Sequence, residues 1–227
     1  MNLPDLAMQI VYGRLAWGLV IAALLLAVLP AARPRTKLLI MGACVALTAL
    51  PGAASPAYWL ALAFQYPSGL LTGFCIMALR ARWQGRPARF AMRRSLALGV
   101  AAVGLVLYLD TFGVLALGLY YGGFSPVAAP LLACAAAIGF AINVWRGHAN
   151  AASAAMLIAV LLFSLLRLPT GNLWDALLDP LLWSWSLGSV LVAAMRMLAA
   201  RRRQAQAAPE LAPAAVAAAA TAAVTAE

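Results

Sequence analysis

"RARWQGRPARFAMRR", residues 80–94, places six arginines between two strongly apolar runs. Which side of a membrane it occupies decides how often the chain crosses. That a membrane is involved follows from composition. Of 227 residues, 66% are hydrophobic and 10% charged, whereas a soluble domain carries roughly a quarter charged residues. A water-soluble chain of this length cannot hide so much apolar surface, so lipid must be the solvent for most of it.

Apolar runs of spanning length flank the arginine-rich stretch on both sides. They predict spans at 8–29, 38–54, 57–79, 95–113, 126–144, 151–167 and 180–198, against a need for about 20 residues per crossing. The short run 38–54 is the weakest, with only a few residues between it and the next. If it merely dipped into the bilayer and returned, the six arginines of 80–94 would be translocated. Basic loops stay in the cytoplasm. Seven crossings with the N-terminus outside put loops 31–37, 80–94 and 145–150 and the tail from 201 on that side together. The expected fold class is an all-α integral membrane protein: a polytopic bundle of seven transmembrane helices, N-out and C-in, with residues 1–200 as its membrane domain.

The segment "TFGVLALGLYYGGFSP", which begins at Thr111, is apolar but broken by glycines, and it reads as interfacial or partly re-entrant. Residues 201–227 are a low-complexity Ala/Pro tract without an amphipathic face, expected to be a disordered cytoplasmic tail. The start has an aspartate and no basic region ahead of its apolar run, so the first span reads as retained. Arginine and alanine dominate while Lys37 is the single lysine. This bias fits a bacterial source, and hence the cytoplasmic membrane.

The net charge of +10 sits in short loops, which points to anionic lipid at the cytoplasmic face. Nucleic acid would call for a basic face interleaved with exposed aromatics. Cys44, Cys75 and Cys134 fall inside apolar runs and have neither disulfide nor metal spacing. His148 is the only histidine, set in a loop, so neither a metal site nor a haem between spans is expected. No phosphate-binding loop, zinc-protease, serine-hydrolase or dinucleotide motif occurs. The spans hold no glutamate and only Asp110 lies well inside one, which argues against a proton pump. No cofactor and no catalytic residue is expected.

The polar residues that remain fall at one depth. Arg14 lies 15 residues from Leu29 and Asp110 15 from Ser95, roughly 22 Å along each helix. Gln65 and Arg167 share that layer, in the outer third of the membrane. A buried charge usually faces the bundle and finds a partner, so Arg14 is expected to pair with Asp110, or with Asp175 or Asp179 in the adjoining loop. The alternative is that each side chain snorkels to the headgroups. Both loop aspartates also read as helix starts. Asn172 with Asp175 resembles a capping box, and Asp179 before Pro180 resembles an N-cap with proline at the first helical position. Gln65-Tyr66-Pro67 marks a helix break. Gly69 and Gly73 form a small-residue face for helix packing.

Three functions fit. The first is a non-catalytic accessory or assembly subunit of a membrane complex, with a membrane-protein partner or a second copy of itself. The second is a small-molecule transporter or channel with Arg14, Gln65, Asp110 and Arg167 lining an outer vestibule. The third is an enzyme acting on a lipid-linked substrate through outer-face aspartates, which would need two carboxylates on one pocket.

Overall fold

The computed structural model describes residues 3–86, 92, 94–148 and 150–224, without the side chains of 143, 144, 148 and 205–224. Most of the loop 87–93 and the His148 side chain lie outside that description. Among the described residues all regular structure is helical. The helices are α1 (Leu6–Val28), α2 (Pro34–Ala49), α3 (Pro56–Phe64), α4 (Gly69–Trp83) and α5 (Arg94–Thr111). After them come α6 (Leu119–Gly122), α7 (Ala128–Asn143), α8 (Ala151–Leu166), α9 (Leu173–Leu177) and α10 (Pro180–Val224).

Four helices are long and apolar enough to cross a membrane: Leu6–Val28, Arg94–Thr111, Ala128–Gly147 and the Pro180–Gln204 part of α10, with mean hydropathies from 1.4 to 2.0. Helices α2 and α8 have 16 residues each, about 24 Å of helix against a hydrocarbon core of about 30 Å.

The run 57–79 is not one helix. It divides into α3 and α4 around Gln65–Ser68, because Pro67 has no N–H to give and Gln65 turns to φ 60°. Helix α2 starts earlier than the apolar run, at Pro34, a residue suited to a first helical position. Only one helical turn, α6, forms within 111–125. Helix α10 continues to Val224, through the stretch expected to be disordered, and alanine is the strongest helix former.

Helix α1 is central, with half of its most apolar window buried, and it packs on α2, α3 and α4. Helix α4 packs on α8, α8 on α7, and α5 on α10. One core joins Trp17, Leu26, Leu70, Val100, Ala159 and Leu182 from five of these helices. Only 12% of the α7 window and 11% of the α10 window are buried. Their outward leucines, isoleucines and valines form the apolar face that lipid would cover.

Small residues set the closest approaches. A Cβ on Gly73 would lie 2.8 Å from the Ala155 Cα, and one on Gly69 3.0 Å from the Ala159 Cα. Two glycines of α4 thus face two alanines of α8, and both alanines are fully buried. Gly18 meets Val45 and Thr48 of α2 in the same way.

Two basic side chains bind backbone carbonyls at helix ends. Lys37 Nζ donates to the Arg82 carbonyl at 2.7 Å, and Arg82 donates to the Leu26 carbonyl. These bonds tie the end of α1 and the start of α2 to the last turn of α4. Arg94, at the start of α5, lies 3.8 Å from the Met197 sulfur of α10.

Gly73→Ala is expected to destabilise the purified protein by about 1–3 kcal/mol, because the new methyl meets backbone rather than a side chain that can swing away. Gly139→Ala on α7, where nothing lies within 4 Å, is expected to be neutral or to stabilise by up to about 1 kcal/mol. Thermal unfolding in detergent measures both.

Candidate functional site

The break between α3 and α4 frees backbone groups, and neighbouring side chains take them up. Trp17 Nε1 donates to the Gln65 carbonyl at 3.1 Å, and the Tyr12 hydroxyl donates to the Pro67 carbonyl at 2.8 Å. Ser68 N–H donates to Asp179 Oδ2 at 2.8 Å. The Ser68 hydroxyl oxygen in turn accepts the Leu71 N–H at 3.0 Å and caps α4. Asp179 Oδ1 accepts the Leu182 N–H at 2.8 Å and so caps α10. One buried carboxylate therefore holds two helix starts.

Asp110 ends α5 and also binds backbone. Its Oδ1 accepts from Leu117 (2.6 Å) and Gly118 (2.9 Å), and its Oδ2 accepts from Tyr120 (3.0 Å). These bonds fold the connecting segment back so that α6 starts beside its own preceding helix. Tyr120 then reaches across to Asp175, with its hydroxyl 3.1 Å from Oδ1. Thr170 gives Asp175 a second hydroxyl hydrogen bond.

Asn172 caps α9 by accepting the Trp174 N–H at 2.9 Å. The reciprocal half of a capping box is replaced: the Asn172 N–H lies 3.3 Å from the Thr170 hydroxyl oxygen. Asp175 is thereby free to face outward from the turn. Asn172 Nδ2 and Trp174 Nε1 donate to the carbonyls of Tyr120 and Leu119, at 3.2 and 2.8 Å, and clamp α9 onto α6.

Between these pieces lies a cleft of about 320 Å³. Phe64, Gln65 and Tyr66 line it from the helix break, and Tyr108 and Thr111 from α5. Tyr120, Thr170, Trp174, Asp175 and Asp179 complete its polar and aromatic wall. Burial pushes the Asp175 carboxyl above the usual carboxylate range, against the pull of the Thr170 and Tyr120 hydroxyls. The Tyr120 phenol is pushed up to about 12, by burial and then by the Asp175 charge.

Of the six polar residues singled out from sequence, the cleft gathers Gln65, Asp175 and Asp179. Asp110 is one bonded step behind, through Tyr120. The two arginines go elsewhere. Arg14 Nη1 donates to the Ala49 carbonyl at 3.3 Å, in a separate crevice of about 170 Å³ beside Tyr58 and Tyr66. Arg167 ends α8 in the left-handed region, its guanidinium 5.1 Å from the centre of the Phe163 ring. Asp110 and Arg14 thus satisfy themselves on different backbone groups, where sequence had suggested a mutual pair. Sequence reading had not singled out Tyr108, Tyr120 or Thr170 as site residues. Their only advance signal is the density of tyrosine and polar side chains around 108–121 and 168–175. Among the described residues no group of three or more His, Cys, Asp or Glu is placed to hold a metal ion.

No protein-family model, curated protein or solved structure matches this chain.

The two cleft carboxylates should respond oppositely to amidation. An asparagine at 179 cannot accept from both Ser68 and Leu182 N–H groups, and a buried N–H without a partner costs about 1–3 kcal/mol. Asp179→Asn is therefore expected to lower thermal stability. The Asp175 pKa is raised by folding, so its contribution is full below the ordinary carboxylate range and is lost as pH rises through the raised value. Asp175→Asn mimics the protonated form. The variant should match or exceed the native protein at about pH 7.5, and the native protein should close that gap toward about pH 4. Unfolding curves across pH in one detergent test both statements.

Proposed function

We propose that this chain is a multi-pass protein of a bacterial cytoplasmic membrane whose cleft receives a small solute from the outer side, as the binding vestibule of a transporter or channel. The observation that carries this reading is the cleft itself. Polar groups from the α3/α4 break, α5, α6, α9 and the start of α10 converge on one space. Binding sites built at discontinuous membrane helices use this arrangement, because irregular backbone at that depth is tolerated where it is buried in protein or lines a cavity.

Orientation in this proposal rests on charge. With α3 and α4 together counted as one crossing, α1, α2, α5, α7, α8 and α10 supply the other six. The contacts Lys37–Arg82 and Arg94–Met197 support placing the basic segments on one side, which the positive-inside rule makes the cytoplasm. The cleft then opens to the outside. A C-terminal green fluorescent protein should fluoresce in a bacterial host, and a C-terminal alkaline phosphatase should stay inactive. The reverse pattern would overturn the orientation.

Two carboxylates on one pocket also meet a requirement of the enzyme reading. Asp179, however, spends both oxygens on backbone N–H groups, which leaves Asp175 without an acid–base partner. Binding without chemistry is the better fit.

The test is a solute library of mixed charge, read by thermal shift on the purified chain. Thr111→Trp serves as a cleft-filling variant that leaves the Asp175 and Asp179 hydrogen bonds in place. A saturable shift with at least one solute, lost in that variant, supports the vestibule. No shift from any solute, together with a protein partner recovered from the native membrane in fixed stoichiometry, would favour the accessory-subunit role and overturn it.

A further inference from the structure

We infer that the occupant of the cleft is a small organic cation, an amine or quaternary ammonium group held between aromatic rings and the Asp175 carboxylate; this deepens the vestibule reading and rests on it.

The first ground is the lining. Aromatic residues from four separate elements line the space: Phe64 and Tyr66 at the helix break, Tyr108 on α5, Tyr120 on α6 and Trp174 on α9. A cation over such faces is attracted by the ring quadrupole, and surrounding it with several rings is how proteins recognise quaternary ammonium groups. Three of these rings are held by named contacts. Tyr120 is held at its backbone by Asp110 and at its hydroxyl by Asp175, Trp174 by the Leu119 carbonyl, and Tyr108 lies 4.7 Å from the Trp183 ring, centroid to centroid.

The second ground is the charge of the wall. The chain as a whole carries +10, yet among the described residues no lysine, arginine or histidine lines this cleft. Arg14 and Arg167, the cations of the same layer in the sequence, are committed to the Ala49 carbonyl and the Phe163 ring. Among the described residues, Asp175 is met by two neutral hydroxyls, those of Tyr120 and Thr170. A partly buried carboxylate without a counter-charge gains from a cation that enters beside it, and an anionic solute would meet repulsion instead. At about 320 Å³ the space is at the small end of ligand pockets, which run from about 300 to 1,000 Å³. It suits a headgroup-sized molecule.

An ammonium group can come from a free solute or from a lipid headgroup, and lipid composition separates the two. The full chain is reconstituted in nanodiscs of phosphatidylglycerol, which contain no ammonium lipid. Choline and its neutral carbon isostere, dimethylbutanol, are titrated by thermal shift. Choline is expected to stabilise saturably and the isostere to bind at least about tenfold more weakly. Asp175→Asn should weaken choline about tenfold, and Tyr108→Leu, which leaves the carboxylate intact, should weaken it several-fold. If phosphatidylethanolamine in the disc competes with choline, the ammonium source is a lipid; if it does not, the source is a free solute. Equal binding of choline and the isostere, or undiminished choline binding by Asp175→Asn, would overturn the cation while leaving the vestibule standing. No saturable response to choline, nor to any member of the mixed-charge library, would overturn both.

Discussion

Between Gln65 and Ser68 the chain leaves the helix, and the backbone groups it frees beside the buried Pro67 and Ser68 would lack partners if nothing met them. Away from water each unmet N–H or carbonyl costs about 1–3 kcal/mol or more, so a buried break requires partners. Trp17 and Tyr12 of α1 supply donors for the carbonyls of Gln65 and Pro67, and Asp179 supplies the acceptor for Ser68. Because Asp179 also caps α10, one carboxylate fixes the start of α4 against the start of α10. The cleft exists because these two starts are held together beside a helix that has stopped short.

The same economy governs the other two aspartates. Asp110 binds three backbone N–H groups and turns the α5–α6 connection inward. Tyr120, placed by that turn, reaches Asp175. Asp110 and Asp175 are thus joined through Tyr120, and Asp179 lines the same cleft as Asp175. The basic side chains of Lys37 and Arg82 bind backbone carbonyls where α1, α2 and α4 end or begin, and Arg94 reaches Met197 of α10. In a chain rich in arginine, Asp110 and Asp179 are received by backbone N–H groups and Asp175 by hydroxyls. Helix starts present such N–H groups and carry partial positive charge, which is how Asp110 and Asp179 are satisfied without a cation among the described residues.

Much of this was legible in the sequence. Long apolar runs demanded helices, proline marked the break, and Asn172 and Asp179 both cap the helices they precede. Gly69 and Gly73 stand where α4 meets α8. What local pattern does not encode is the partner of a long-range hydrogen bond. Depth along a helix put Arg14 and Asp110 in one layer, but it could not tell that a segment seven to ten residues beyond Asp110 folds back and satisfies it first. Spacing made Asp175 a candidate capping residue. It could not foresee that Thr170 would take that place and turn the carboxylate toward Tyr120. The aromatic wall was invisible for the same reason: its rings are separated by up to 110 residues and meet only in the fold.

Amide hydrogen exchange at Ser68 tests the central claim most directly, because that N–H is the point where Asp179 holds the broken helix. In the native protein the Ser68 amide should be protected, and Asp179→Ala should speed its exchange by at least about tenfold while the Tyr120 amide, bound to Asp110, stays as it was. An unchanged Ser68 rate in that variant would mean that the break is held by something else, and the account of the cleft would fall with it.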